Sequence, residues 1–256
     1  MELFTATLTP NVFVTTRGHA KRNTVSRSTF ADASNITFAI SPDSKQLVIS
    51  TIAGTLSGEI WIQPNSGSGN QQKLERPMSF VSVTSWSPNR RYIYIFFWSQ
   101  DNATRQDIYY VDLNGDRKFI PFLHSPANEN DAVLSPNGKW LAYASDESGR
   151  FEVYVTAFPD PGGKWQVSNG GGGSPSWSAD GKQLYYDVAD RLMLVPIQNL
   201  NTFEFGAPSA LPIHLNEFAT LGPVAHGERF PALKPLSRGQ SHPQEVILNW
   251  ARTLKQ

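Results

Sequence analysis

The stretch SPNGKWLAYASDESGRFEVY, residues 135–154, contains the pattern that decides the fold. It opens with Ser, Pro, Asn and Gly at residues 135–138, and these residue types favour a tight turn. Residues 140–144 then alternate two sets of apolar side chains, which is typical of a buried β-strand. A polar loop follows at residues 145–150, and residues 152–154 begin a second strand. The stretch therefore predicts a β-hairpin.

Versions of this hairpin recur along most of the chain. The first residues of the five turns, 41, 87, 135, 178 and 224, lie 46, 48, 43 and 46 positions apart. A period of about 40–50 residues with four strand signals and no helical periodicity is typical of propeller blades. We therefore predict an all-β fold, a β-propeller of four-stranded antiparallel blades. The other turns are Ser41-Pro42-Asp43-Ser44, Ser87-Pro88-Asn89-Arg90, Ser178-Ala179-Asp180-Gly181 and the degenerate Val224-Ala225-His226-Gly227.

The repeats predict a single propeller domain over residues 1–256. Residues 1–35 hold strand-like runs at 3–8, 12–16 and 23–27 and form a partial blade. The last blade lacks an outer strand, so we expect the N-terminal segment to complete it and close the ring, which removes exposed edges. Five blades would leave two strands spare and six would be two short; five are favoured, with six as the alternative. The repeats cover about 36–80, 81–127, 128–172, 173–215 and 216–256.

The third repeat defines the expected strands most clearly. They are residues 131–134, 140–144, 152–157 and 164–167. Because one blade cannot cover its own faces, neighbouring blades must pack on one another. We expect five tryptophans to serve this packing rather than to stack on a ligand: Trp61, Trp86, Trp140, Trp165 and Trp177.

Composition limits the functional classes. Lys plus Arg and Asp plus Glu are both 22, so no net charge favours nucleic acid. There is no cysteine, which excludes disulfides and thiol nucleophiles. The first residues, MELFTATLTPNVFVTTR, lack the basic and apolar regions of a signal peptide, and no apolar run is long enough to span a membrane. We therefore predict neither nucleic-acid binding nor membrane insertion.

The segment SPNGKWLAYASDESGRFEVYVTAFPDPGGKWQVSNGGGGSPSWSADGKQLYY, residues 135–186, resembles the TolB-like, WD40-like (PD40) propeller repeats of bacteria. It is especially similar to the C-terminal propellers of bacterial serine/threonine kinases, and Asn249-Trp250 resembles the end of such domains. Ser44 and Arg90 depart from the pattern, because glycine is usual there. The resemblance implies a propeller with a binding role outside the cytoplasm, in the periplasm, and no shared set of catalytic residues.

Strand alternation places the loops between second and third strands, and those between blades, on one face of the ring. Propeller ligands usually bind on this channel-mouth face. Because acids outnumber bases there, the face would suit a cationic ligand, a divalent ion or a basic peptide. The predicted binding residues are Asp101, Arg105, Glu129, Asp131, Asp146, Arg150, Asp190 and Glu217, and Asn130, Glu147 and Asp187 share the face.

Two further patterns have structural explanations. The glycine run at residues 169–173 is no phosphate loop, because a strand rather than a helix follows it, but it is a candidate wall of a pocket. The acids Glu59, Asp107 and Glu152 recur at the start of third strands, where we expect them to fix the preceding loop through backbone N–H groups.

No metal site or cofactor is predicted, although Ca²⁺ stays an alternative. Residues 112–116, with Asp112, Asn114 and Asp116, are spaced like the start of a calcium loop, but Leu123 stands where the loop's glutamate belongs. A hairpin turn is the favoured interpretation.

The sequence supports two functional hypotheses of different classes. A third interpretation, suggested by the incomplete first repeat, is that the chain is a structural or truncated fragment. The favoured hypothesis is a non-catalytic sensor or scaffold that binds a protein, a peptide or a small ligand at the channel mouth. The alternative is a hydrolase, esterase-type or metal-assisted, built from His124, Asp131 and His214. Whether the protein is an enzyme is left open.

Overall fold

The computed structural model describes the backbone at residues 2–9, 12–19, 24–27, 35–53, 57–66, 69–74, 80–98, 106–215, 220–221, 232–234 and 245–247. Side chains are described at 37–51, 59–66, 69–74, 81–97 and 106–215. Every regular element in these ranges is a β-strand, apart from a 3₁₀ residue at Leu215. No helix within them is long and apolar enough to cross a membrane.

The chain forms two compact units, residues 1–129 and 130–256. The first unit holds sheets A, B and C, and all neighbouring strands in them are antiparallel. Sheet A contains β1 (Glu2–Thr9), β2 (Val12–His19) and β3 (Thr24–Arg27). Sheet B contains β4 (Asn35–Ile40), β5 (Gln46–Ala53), β6 (Ser57–Pro64) and β7 (Gln72–Leu74), and sheet C contains β8 (Phe80–Trp86), β9 (Tyr92–Trp98), β10 (Gln106–Asp112) and β11 (Phe119–Leu123).

The second unit holds sheets D, E and F, and the first strand of sheet D begins at the boundary. Sheet D contains β12 (Glu129–Leu134), β13 (Trp140–Ser145), β14 (Glu152–Ala157) and β15 (Lys164–Gln166). Sheet E contains β16 (Gly173–Trp177), β17 (Gln183–Val188), β18 (Arg191–Asn199), β19 (Glu204–Phe205) and β20 (Ser209–His214). Sheet F contains β21 (Thr220–Leu221), β22 (Ala232–Lys234) and β23 (Glu245–Ile247).

Sheets B, C and D follow the predicted pattern of four consecutive antiparallel strands. Sheet E differs because its fourth position is split: β18 pairs with β19 near its end and with β20 near its start. Residues 206–208 separate the two short strands, and Pro208 among them has no N–H to donate to a ladder. The outer strand of this repeat is therefore broken in two.

The expected closing of the ring is not among the described strand pairs. The N-terminal strands pair with one another as sheet A, and the last three strands form sheet F. Strands occur where the sequence of the N-terminal segment predicts them. The completion of the last blade by this segment, the number of blades and the single-domain division stay predictions.

The recurring turn has the same hydrogen bonds in all four described copies. In the copy at 135–138, the Ser135 hydroxyl donates to Asn137 Oδ1 (2.7 Å) and accepts from the Trp140 N–H (3.0 Å). The equivalent bonds form from Ser41, Ser87 and Ser178. The fourth residue has positive φ in every copy: Ser44 57°, Arg90 62°, Gly138 74° and Gly181 71°. Ser44 and Arg90 therefore keep the left-handed conformation that glycine usually supplies.

Sheets D and E pack face to face through tryptophan. Trp140 and Trp177 are buried, and the Trp177 indole N–H donates to the carbonyl of Val133 in sheet D (3.2 Å). The ring of Trp140 lies 5.4 Å from those of both Trp165 and Phe203, and Phe203 lies in the turn between β18 and β19 of sheet E. These tryptophans therefore join neighbouring blades, as predicted.

Two tryptophans of the first unit, Trp61 and Trp86, differ from each other in burial. Trp86 is buried in the core that sheets B and C share. Trp61 is only half-buried; its indole N–H donates to Glu59 (3.1 Å), and the Lys73 ammonium lies 5.5 Å from the ring centre. Trp61 is therefore outside the core of these sheets, where we expected it to pack. The polar side chains of Glu59 and Lys73 contact its ring instead.

Candidate functional site

A cleft of about 470 Å³ opens at one end of sheets D and E. Three connections and the start of β12 form it. The connections are the β13–β14 loop, the β17–β18 loop and the segment that leads from sheet D to sheet E. These are the loop types that the sequence assigns to the ligand face. We call it the D–E cleft; its lining residues are Asn130, Asp131, Ala144, Phe151, Gly170, Gly171, Gly172, Gly173, Ser174, Asp187, Val188 and Ala189.

The glycine run forms one wall of the D–E cleft, as expected from the sequence. Glycine is required at Gly172, where a Cβ atom would come within 2.8 Å of Ser168 Oγ and 3.1 Å of the Tyr186 ring. The φ angles of Gly170 and Gly171 are 107° and 104°, which other residues rarely adopt. The backbone can therefore approach its neighbours closely and leave the cleft open.

The amide groups of this wall are already used. The N–H groups of Gly170 and Gly171 donate to Glu152 Oε1 (3.1 and 2.9 Å), and that of Gly172 donates to the Phe151 carbonyl (3.0 Å). The amides of these three residues are therefore committed within the protein. An anion in the cleft would find none of them, which agrees with the absence of a phosphate-loop context in the sequence.

Two carboxylates lie in the D–E cleft. Asp131 accepts a hydrogen bond from the Ser174 N–H, and the Ser174 hydroxyl lies 3.3 Å from Asp187 Oδ2, within donating distance. Burial raises the pKa of Asp131, and the nearby charge of Asp187 raises it further, while the Ser174 N–H opposes the change. The site therefore holds two neighbouring acids, one of which is disfavoured as a charged group.

The backbone of the D–E cleft is unusual. Asp131, Ser174 and Ala189 have positive φ angles of 54°, 47° and 53°. The other non-glycine residues with positive φ in the described part of the chain lie in hairpin turns outside the cleft. Backbone held in this region often accompanies a functional site.

Phe151 gives the D–E cleft an apolar edge. Phe151 lines the cleft and is 39% exposed. Among the residues whose side chains are described, it is the one large hydrophobic residue that is exposed to solvent. It stands between Arg150 and Glu152, at the end of a polar loop, and it was not among the predicted site residues. Its position beside two acids makes the cleft amphipathic.

In sheet D, an acid at the start of the third strand accepts hydrogen bonds from residues that follow the fourth strand. We call this arrangement the clasp. In sheet D, Glu152 accepts hydrogen bonds from the Ser168 hydroxyl and from the Gly170 and Gly171 N–H groups, and Arg150 Nε lies 2.7 Å from it. We expected backbone N–H groups of the preceding loop to bind this acid, and this expectation is wrong. Its N–H donors follow the fourth strand, so the clasp fixes the connection to the next sheet.

Histidine takes the place of Ser168 in sheets C and E. His124 Nδ1 lies 3.0 Å from Oδ2 of the buried Asp107, although without hydrogen-bond geometry, and His214 Nδ1 lies 2.9 Å from Asp190 Oδ2. The contact with His214 lowers the pKa of Asp190. The two histidines therefore take equivalent places, but their acids do not. Asp107 stands where Glu152 does, whereas Asp190 lies in the β17–β18 turn, one residue before Arg191, which holds that place in sheet E.

The predicted site residues separate into several groups. Asp131 lines the D–E cleft, together with Asn130 and Asp187 from the same predicted face. Four others contact a residue of their own sheet near the start of the third strand. Arg150 contacts Glu152, His124 contacts Asp107, and His214 contacts Asp190. Glu129 is buried and accepts from the Ser125 hydroxyl, and Asp146 lies in the β13–β14 loop, where its carbonyl accepts from the Gly149 N–H (2.8 Å). Asp101, Arg105 and Glu217 lie outside the described residues.

The sequence resembling a calcium loop forms a hairpin turn. Arg91 forms a bidentate ion pair with Asp112, and Lys118 Nζ lies 2.8 Å from Asp116 Oδ2. The contact with Arg91 is the main cause that lowers the pKa of Asp112. Across the described side chains, no three His, Asp or Glu residues form a group able to hold a metal ion.

Comparison with known proteins identifies the fold. Solved structures that match include a TolB from Agrobacterium tumefaciens (TM-score 0.63, 16% identity, 79% of this chain and 75% of that chain). The nidogen/laminin complex contains a match with TM-score 0.64 and 14% identity (86% and 82%). The periplasmic gluconolactonase of Pseudomonas aeruginosa matches with TM-score 0.57 and 17% identity (91% and 75%). No protein-family model and no curated protein matches the sequence.

The chain therefore has a TolB-like β-propeller fold, and sheets B, C, D and E are among its blades. The fold class predicted from the repeats is confirmed. The special similarity to the propellers of serine/threonine kinases stays a prediction.

Proposed function

We propose that this protein is a non-catalytic binding propeller, a sensor or scaffold, that docks a protein or peptide at the D–E cleft. The D–E cleft itself carries the proposal. It combines an exposed phenyl ring, two acids and a glycine wall on loops that a rigid pair of blades positions. Binding sites commonly combine an apolar surface with a few well-placed polar groups in this way.

Two further observations support a binding role outside the cytoplasm. A protein–protein complex, that of nidogen and laminin, is among the solved structures with this fold. Another neighbour is a periplasmic enzyme, so the fold occurs in that compartment. We place this protein there as part of the proposal.

A hydrolase is the second candidate. The specific observation in its favour is the contact between the exposed His124 and the buried Asp107, because a carboxylate that orients an imidazole is a common catalytic arrangement. A contact of this kind also occurs in sheet D, and this repetition is evidence against a hydrolase. Ser168 occupies the equivalent place in sheet D, so a histidine at this place has a structural explanation.

Binding to arrays of short peptides tests the proposal. The labelled full-length chain should bind a subset of peptides, and Phe151→Ala should weaken that binding about tenfold by removing the exposed ring. Gln198→Ala, an exposed change on β18 outside the cleft, is the control and should bind as the wild type does. Equal binding by Phe151→Ala would exclude the cleft as the docking site.

A substrate panel separates the two candidates. We expect no turnover of esters, lactones or phosphoesters, with or without Ca²⁺. Turnover that His124→Ala abolishes would replace the binding proposal with the hydrolase.

A further inference from the structure

We propose that the D–E cleft recognises the cationic end of an arginine or lysine side chain of a bound peptide, held between Asp131 and Asp187. This inference rests on the proposed function and names the chemistry that the cleft selects. Phe151 would contact the aliphatic stem of the same side chain.

The charges of the cleft favour a cation. The ionisable residues that line it are Asp131 and Asp187, and no Lys, Arg or His is among its lining residues. Arg150, which directly precedes the lining residue Phe151, already pairs with Glu152 at 2.7 Å. The field inside the cleft is therefore negative, which attracts cations and repels anions.

The hydrogen-bond donors of the cleft give the same result. Three of the four glycine N–H groups of the wall, those of residues 170–172, donate to Glu152 and Phe151, and the Ser174 N–H donates to Asp131. Of the polar side chains that line the cleft, the carboxylates of Asp131 and Asp187 only accept when ionised, whereas the Asn130 amide can donate or accept. A ligand group that brings donors, such as a guanidinium or an ammonium group, matches these carboxylates.

A ligand cation would also relieve an unfavourable feature of the empty cleft. Asp131 is half-buried and lies near a second carboxylate, and both conditions disfavour its charged form. A guanidinium between the two acids compensates both charges at once, and its planar fork suits carboxylates. Part of the binding energy would come from this compensation.

Phe151 distinguishes a side chain from a bare metal ion. A phenyl ring can cover the methylene stem of Arg or Lys, or lie under the cation, and it offers nothing to Ca²⁺. Two carboxylates are also fewer than the six to eight oxygen ligands that Ca²⁺ takes. The amphipathic edge of the cleft thus fits a basic side chain better than a metal ion.

Calorimetric titration of the full chain with two dipeptide amides tests the inference. Phe-Arg amide should bind at least about tenfold more tightly than Phe-citrulline amide, which has nearly the same shape without the charge. Asp187→Asn and Asp131→Asn should each weaken the Phe-Arg complex about tenfold and leave the Phe-citrulline complex unchanged. Asparagine tolerates the positive φ of residue 131, so Asp131→Asn should keep its fold. Asp160→Asn, an exposed acid outside the cleft, is the control.

The outcomes separate this inference from the proposed function. If peptides bind in a Phe151-dependent manner but the two amides bind equally, the inference is wrong and the proposed function stands. If Ca²⁺ binds instead and the Asn variants abolish that binding, the basic side chain is the wrong ligand. If the wild type binds neither amide and no arrayed peptide, both proposals fail.

Discussion

Replacing Glu152 with glutamine is expected to lower the free energy of unfolding of the second unit by about 3 kcal/mol. The Glu152 side chain is 1% exposed, and donors from Ser168, Gly170, Gly171 and Arg150 surround it. Glutamine has the same shape but brings an NH₂ group to a place that holds only donors. At least one buried group then loses its partner.

Urea unfolding at pH 7, followed by tryptophan fluorescence, measures this difference. Glu147→Gln is the matched control, because Glu147 pairs with Lys164 on the surface and such pairs contribute about 0–1 kcal/mol. A loss below about 1 kcal/mol in Glu152→Gln would show that the clasp does not hold the connection between the sheets.

The effect of Glu152→Gln should depend on pH. Burial alone would raise the pKa of Glu152, but the hydrogen bonds from Ser168, Gly171, Arg150 and Gly170 outweigh it and hold the pKa below its ordinary 4.5. A lowered pKa means that the stabilisation is fully present above the ordinary value and is lost as the pH falls through the folded-state value. The two proteins should therefore approach equal stability in acid.

Trp140→Ala should lower the free energy of unfolding by about 4 kcal/mol. The indole is buried between sheets D and E, against Trp165 and Phe203, and its N–H donates to the Leu200 carbonyl. Alanine leaves a cavity at the contact between two blades and removes one of the two hydrogen bonds to the Leu200 carbonyl, which also accepts from Asn137 Nδ2 (3.0 Å).

Trp61→Ala provides the comparison for this second change. Trp61 is half-buried and covered by Lys73, so its removal should have a much smaller effect in the same urea titration. Equal losses in the two variants would contradict the mutual shielding of neighbouring blades.

Local sequence patterns predicted the strands and turns well, because the information for them is local. The Ser–Pro–Asn–Gly turn is satisfied by bonds within six residues, and β14 has its predicted bounds. Apart from Arg150, the donors to Glu152 lie 16 to 19 residues away, so the pattern showed the acid but not these donors.

The candidate site was predicted only in part, for the same physical reason. The sequence assigned Asp131 and Asp187 to one face, since strand order determines at which end of a sheet the loops lie, and both residues line the D–E cleft. Which acids share a cleft depends on packing between sheets, which no local pattern contains. Phe151 was missed, although a bulky apolar residue at the end of the polar run 145–150 is a signal that could have found it.

Chemical-shift mapping of the ¹⁵N-glycine-labelled chain tests the central claim, that ligands dock at the D–E cleft. The account predicts that the strongest peptide from the array shifts the resonances of Gly170, Gly171, Gly172 and Gly173. Gly138 and Gly181, in the turns at the other end of sheets D and E, should stay unchanged. Shifts at Gly138 or Gly181, with the wall of the cleft unaffected, would contradict it.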